Sequence, residues 1–110
     1  MVDVSFSEIS ETKLHFLISG HCSNNKGNDI VCAAVSALAQ TFLRGIELSL
    51  NATFAGDFKS GDCNLLIEVP KDKAREFKII CEIFKNGFHE ISKSYPERVN
   101  LISQEIYHGS

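Results

Sequence analysis

At 110 residues, with 44% hydrophobic and 23% charged side chains, the chain has the size of one domain, 1–110, burying roughly 60 to 70% of the surface its unfolded form exposes. A formal charge of −3, with the 11 Lys and Arg scattered along the chain, offers no basic stripe for nucleic-acid phosphates, and no apolar run is read as approaching the roughly 20 residues a bilayer needs. The amino terminus lacks the basic start and apolar block of a secretory signal, so a cytoplasmic location is expected, with the four cysteines (Cys22, Cys32, Cys63 and Cys81) as free thiols rather than two disulfides.

Val2, Val4 and Phe6 alternate with polar neighbours, and after SEISET the run KLHFLISG offers a second β-like segment; the two are expected to form an antiparallel hairpin. From Asp29 the period changes. Val31, Val35, Leu38 and Phe42 recur at helical spacing on one face with Gln40 and Arg44 opposite, which predicts an amphipathic helix with Gly45 as its early end or a close-packing point. Turn signals are read at AGDF and KSGDCN, with a strand in NLLIEV closed by Pro70, and together they predict a second β pair. A second helix is expected from about Asp72 to Tyr95, with Phe77, Ile80, Cys81, Phe84, Phe88 and Ile91 on one face and Ile79 and Ile83 widening the arc. That breadth fits a dimer contact or a helix between two layers. RVNLISQEI reads as a last strand. The expected class is α+β, in the order β-β-α-β-β-α-β, with two helices packed on a mainly antiparallel or mixed sheet.

The chemistry gathers in GHCSNNKGNDIVC, residues 20 to 32. Asp29 is suited to cap the first helix, which makes Cys32 its third residue. In a first helical turn the backbone dipole favours the thiolate, the nucleophilic form of cysteine, and His21 is the natural partner to form an ion pair with it and protonate a leaving amine. A metal set drawn from His21, Cys22, Cys32 and Cys63 lacks C-x-x-C or H-x-x-x-H spacing, and Cys22 with Cys32 as a redox pair likewise lacks the C-x-x-C motif; both stay open as alternatives. His15, His89 and His108 are read as surface or core-edge residues, and Cys63 and Cys81 as structural.

The string SGH, a Gly-containing loop and then DIVCAAVSALAQT, followed near the end by SYPERVNLI, resembles the ribosomal-processing cysteine protease family (Prp). The resemblance implies Cys32 as nucleophile, His21 as base, Asp29 and Ser36 as supporting residues, and a substrate loop including Gly20, Cys22 and Gly27. It also implies a cytoplasmic bacterial homodimer without metal or organic cofactor. Its expected action is to remove a short amino-terminal extension from a large-subunit ribosomal protein, cutting after an aromatic residue. The loop CSNNKGN departs from the family pattern in having no aromatic side chain and in placing a cysteine next to His21. Two other readings accompany this one: a non-catalytic ribosome-assembly protein that binds without cutting, and a thiol or metal sensor.

Overall fold

The computed structural model describes residues 1–20, 30–59 and 62–107. In chain order the elements are β1 (Val2–Ser10), β2 (Lys13–Ser19), α1 (Ile30–Leu50), β3 (Thr53–Lys59), β4 (Asp62–Glu68), a short 3-10 turn (Lys71–Lys73), α2 (Ala74–Ser94) and β5 (Val99–Glu105). The expected order of strands and helices is the observed one. The strands form one mixed sheet in the order β3-β4-β2-β1-β5. β1 pairs antiparallel with β2, β2 with β4, and β3 with β4, while β5 lies parallel to β1.

Strand alternation decides which face is covered. Val2, Val4 and Phe6 of β1, Leu14, Phe16 and Ile18 of β2, and Cys63, Leu65 and Ile67 of β4 are all buried, and their register places them on one face of the sheet. Both helices pack there. Phe42 of α1 and Phe88 of α2 each meet Phe6 and Phe16, with ring centroids between 5.2 and 6.3 Å apart, in tilted and edge-on arrangements that add about 0.5–1.5 kcal/mol per pair beyond area burial. The opposite face carries mostly polar side chains, including His15, whose Nε2 lies 2.7 Å from Asn64 Oδ1.

Four readings of the sequence need correction. Gly45 neither ends α1 nor marks a close contact: the helix runs on to Leu50, and a Cβ at Gly45 would meet nothing within 4 Å. The helix stops at Asn51, whose φ of 57° is the left-handed conformation that asparagine tolerates at helix ends. AGDF is not a turn but part of β3, where Gly56 has φ +127° and a Cβ would fall 2.1 Å from the Asn64 carbonyl oxygen. By length and composition alone α1 is apolar enough to cross a membrane; here its stripe of Val31, Val35, Ala39, Phe42 and Ile46 is seated in the core. Ile79 and Ile83 of α2 are exposed, so the second helix does not lie between two layers.

The connections fix where a site can form. β2 runs parallel to β3, both flanking β4, and α1 makes the crossover between them. The start of α1 therefore lies at the same end of the sheet as the tip of the β3–β4 hairpin, where Lys59 pairs with Asp62, and β3 runs antiparallel to α1.

Candidate active site

Gly20 closes β2 with φ +107°, and a Cβ there would stand 2.1 Å from the Met1 carbonyl oxygen. Only glycine fits that backbone at that distance, so its place in the SGH motif has a structural cause: it lets the chain leave β2 against the start of β1. His21, Cys22, Gly27 and Asp29 lie outside the described residues.

Cys32 is the third residue of α1, as the sequence predicts, and Val31 and Val35 beside it are buried and anchor the first turn. Cys32 is disulfide-bonded. The expectation of free thiols holds at Cys63 and Cys81 and fails here, and nucleophilic chemistry at this sulfur requires its reduction. Cys63 and Cys81 are chemically quiet. Burial pushes both thiols up to about 12, since taking a thiolate out of water disfavours it.

A cavity of about 280 Å³ opens beside Cys32, walled on the helix side by Cys32, Ser36 and Gln40 and on the hairpin side by Phe58, Lys59 and Asp62. Its floor is apolar, made by Val2, Ile18, Val35 and Cys63. Ser36 sits one turn after Cys32, and its Oγ accepts a 3.1 Å hydrogen bond from Gln40 Nε2, which fixes both side chains on the helix wall. Among the described residues, no three His, Cys, Asp or Glu side chains come together as a metal set.

Reading the sequence missed Gln40, Phe58, Lys59 and Asp62. Phe58 carries the most information, as it is 44% exposed and faces α1 because its register partner is the inward Cys63. The alternation of Phe54, Gly56 and Phe58 on one face of β3 was the available signal, hidden by taking AGDF for a turn.

The mixed sheet in the order β-β-α-β-β-α-β thus places a cysteine in the first turn of its crossover helix, on the wall of a cavity. The family model for cysteine protease Prp matches residues 1–100. The chain belongs to this cysteine protease family. No significant match was found among curated proteins. Among solved structures, the chain is similar to SMU.848 from Streptococcus mutans, with TM-score 0.75 and 23% identity over 96% of this chain and 95% of that one. It is also similar to the ribosomal processing protease Prp from S. aureus in complex with a covalently linked product peptide, with TM-score 0.74 and 23% identity over 94% and 99%. The same S. aureus protease in complex with a substrate peptide gives TM-score 0.69 and 22% identity, again over 94% and 99%.

Proposed function

We propose that this protein is an endopeptidase that removes a short amino-terminal extension from a large-subunit ribosomal protein, cutting after an aromatic residue with Cys32 and His21 as its dyad. The observation that carries the reading is the position of Cys32, third in α1 and on the wall of a cavity, in a chain of a cysteine protease family. The reduced thiolate, favoured by the helix dipole, attacks the scissile carbonyl carbon. His21 donates a proton to the departing amine, and the thioester left on Cys32 is then hydrolysed by water. The cavity, at about 280 Å³, falls just below the roughly 300–1,000 Å³ of small-molecule sites. Its apolar floor suits the aromatic side chain before the cut. Ser36, held by Gln40, supports the helix wall, and Asp29 supports the helix start. The proposed setting is the cytoplasm, with the protein as a homodimer.

The test is cleavage of a peptide spanning the extension and the first mature residues, followed by mass spectrometry under reducing conditions. Cys32→Ala and His21→Ala are each expected to abolish product. Full cleavage by the Cys32→Ala variant would refute the assignment of the nucleophile.

The disulfide at Cys32 favours one second reading, a thiol sensor in which Cys22 and Cys32 pair. A reduced protein that cuts no peptide, yet changes its binding to the ribosomal protein between oxidised and reduced forms, would support the sensor over the protease.

A further inference from the structure

Cys32 is joined in a disulfide, while Cys63 and Cys81 are free thiols. The chain has four cysteines, so within one chain the remaining partner is Cys22, ten residues before it. In a reducing cytoplasm, the setting proposed above, disulfides are rare, and those that form are usually catalytic or redox-sensing rather than structural. The described fold does not call for a staple at this point. One apolar core joins both helices to the sheet, and Val31 and Val35 already anchor the turn that carries Cys32.

We infer that Cys32 is a reversible oxidation site, at which a hydroperoxide switches the enzyme off by driving a Cys22–Cys32 disulfide and a dithiol reductant switches it on again. The inference rests on the protease reading above, because the locked sulfur is its nucleophile. Two observations select this cysteine. It stands in the first turn of α1 on the wall of a cavity, where a small oxidant reaches it and the helix dipole favours its thiolate. Cys63, in the floor of the same cavity, is 2% exposed and held protonated by burial, so it does not compete.

The chemistry balances with a hydroperoxide as the oxidant. The Cys32 thiolate attacks one peroxide oxygen, the O–O bond breaks, and the departing oxygen takes up a proton, leaving a sulfenic acid whose sulfur has lost two electrons. The Cys22 thiolate then attacks that sulfur: the S–S bond forms, the S–O bond breaks, and hydroxide leaves as water with the proton that Cys22 gave up. With hydrogen peroxide the sum is two thiols and one peroxide giving one disulfide and two waters. A dithiol reverses this by exchange and ends as its own disulfide. A lone nucleophile has no such exit, since a second peroxide carries its sulfenic acid to sulfinic acid, which thiols do not reduce. Cys22, set next to His21 where the family pattern has no cysteine, thereby gains a role: it captures the sulfenic acid before that second oxidation.

The experiment uses the full chain, wild type and Cys22→Ala, each reduced with dithiothreitol, freed of it and exposed to hydrogen peroxide graded up to a large excess. Each protein is compared with its own reduced form, by peptide cleavage and by mass spectrometry of the intact chain and of tryptic fragments, which separate the two cysteines at Lys26. Wild type is expected to lose two hydrogens, to join the fragments holding Cys22 and Cys32, to fall about tenfold or more in cleavage rate, and to regain its starting rate in dithiothreitol. Cys22→Ala is expected to lose cleavage as well but to stay inactive in dithiothreitol, with two oxygens added at Cys32. Equal recovery in both proteins, or a disulfide joining Cys32 to Cys63 or to a second chain, overturns the inference. So does a reduced wild type that has lost its helical circular dichroism, because the bond would then be a structural staple. If no peptide is cut in any form, the protease reading fails separately and the masses decide for the oxidation site alone: a Cys22–Cys32 disulfide in wild type against sulfinic acid at Cys32 in Cys22→Ala sustains it, and the same Cys32 product in both ends it.

Discussion

Lys85 is a lysine placed where the helix pattern calls for an apolar residue, and removing it is expected to destabilise the fold. It is 9% exposed; its Nζ lies 3.1 Å from Glu8 Oε2 and 3.5 Å from Glu82 Oε1, and 5.9 Å from the centroid of the Phe6 ring. Burial alone would lower its pKa, but the hydrogen bond to Glu8 and the charges of Glu8 and Glu82 outweigh burial and hold it above the usual lysine value. Lys85→Met keeps the aliphatic stem and strands the Glu8 carboxylate, whose side chain is 15% exposed. Removing one partner of a buried pair costs about 3–5 kcal/mol. With 11% and 15% of the two side chains still reached by solvent, screening brings the cost to the bottom of that range or just under it, about 2–3 kcal/mol. At about 4 °C per kcal/mol for a domain of this size, the melting temperature should fall by about 8–12 °C. Urea unfolding followed by circular dichroism at pH 7 to 9 measures the loss, and the double variant Glu8→Gln/Lys85→Met should recover at least half of it by removing the stranded charge. Because the lysine pKa rises on folding, its contribution is complete below the unfolded value of 10.5 and fades only as pH climbs through the folded value. The buried thiols near 12 work in the same direction: the unfolded chain gives up those protons from about pH 9, so stability of any variant falls above that pH. A loss under about 1 kcal/mol, or a double variant no better than the single, would show that the pair carries no such weight.

The thiols give a second test. Without reductant, native protein should yield no label at Cys63 or Cys81 with a neutral-pH alkylating reagent, and Cys32 should become labelled only after mild reduction; rapid native labelling of Cys63 or Cys81 would contradict their burial. Peptide cleavage should rise with the same reductant titration. The dimer proposal predicts light scattering at about twice the 12.2 kDa chain mass and a shift toward the monomer in Ile83→Asp. A wild-type monomer at micromolar concentration would remove the claim and leave the catalytic reading standing.

Much of this fold was legible because its signals are local. The half-buried alternation of β1 and β2 requires no knowledge of partners, and the first-turn position of Cys32 follows from where a helical pattern starts. Pairings between distant segments were not legible: nothing in VNLISQE says that it lies parallel to VDVSFSE. Gly56 was misread because a glycine between small or polar residues scans equally as a turn and as an irregular strand position, and only the closeness of the Asn64 carbonyl decides between them. Glu8 and Lys85 each broke an otherwise clean pattern. Glu8 continues the inward series Val2, Val4 and Phe6, and Lys85 falls on the stripe of Cys81 and Phe88. Two charges of opposite sign at apolar positions are a contact signal, readable once both patterns are drawn. The hairpin wall of the cavity, Phe58, Lys59 and Asp62, stands 26 or more residues from Cys32 in the chain and comes to it only through the crossover of α1.

The roles of the cysteines follow from where each one sits. A cysteine protease needs a thiolate at neutral pH. Cys63 and Cys81, held near 12 by burial, would be ionised to about one part in 10⁵ at pH 7, and both are buried among core side chains, Cys63 in the floor of the cavity. Cys32 differs in both respects. It stands in the first turn of α1, where the dipole favours negative charge, and it forms part of a cavity wall rather than the core. Family membership calls for a cysteine nucleophile, and of the described cysteines Cys32 is the one whose surroundings suit that work. The same position exposes its sulfur to oxidation, so the disulfide it carries and the nucleophilic role proposed for it have a common origin in an accessible, thiolate-favouring site.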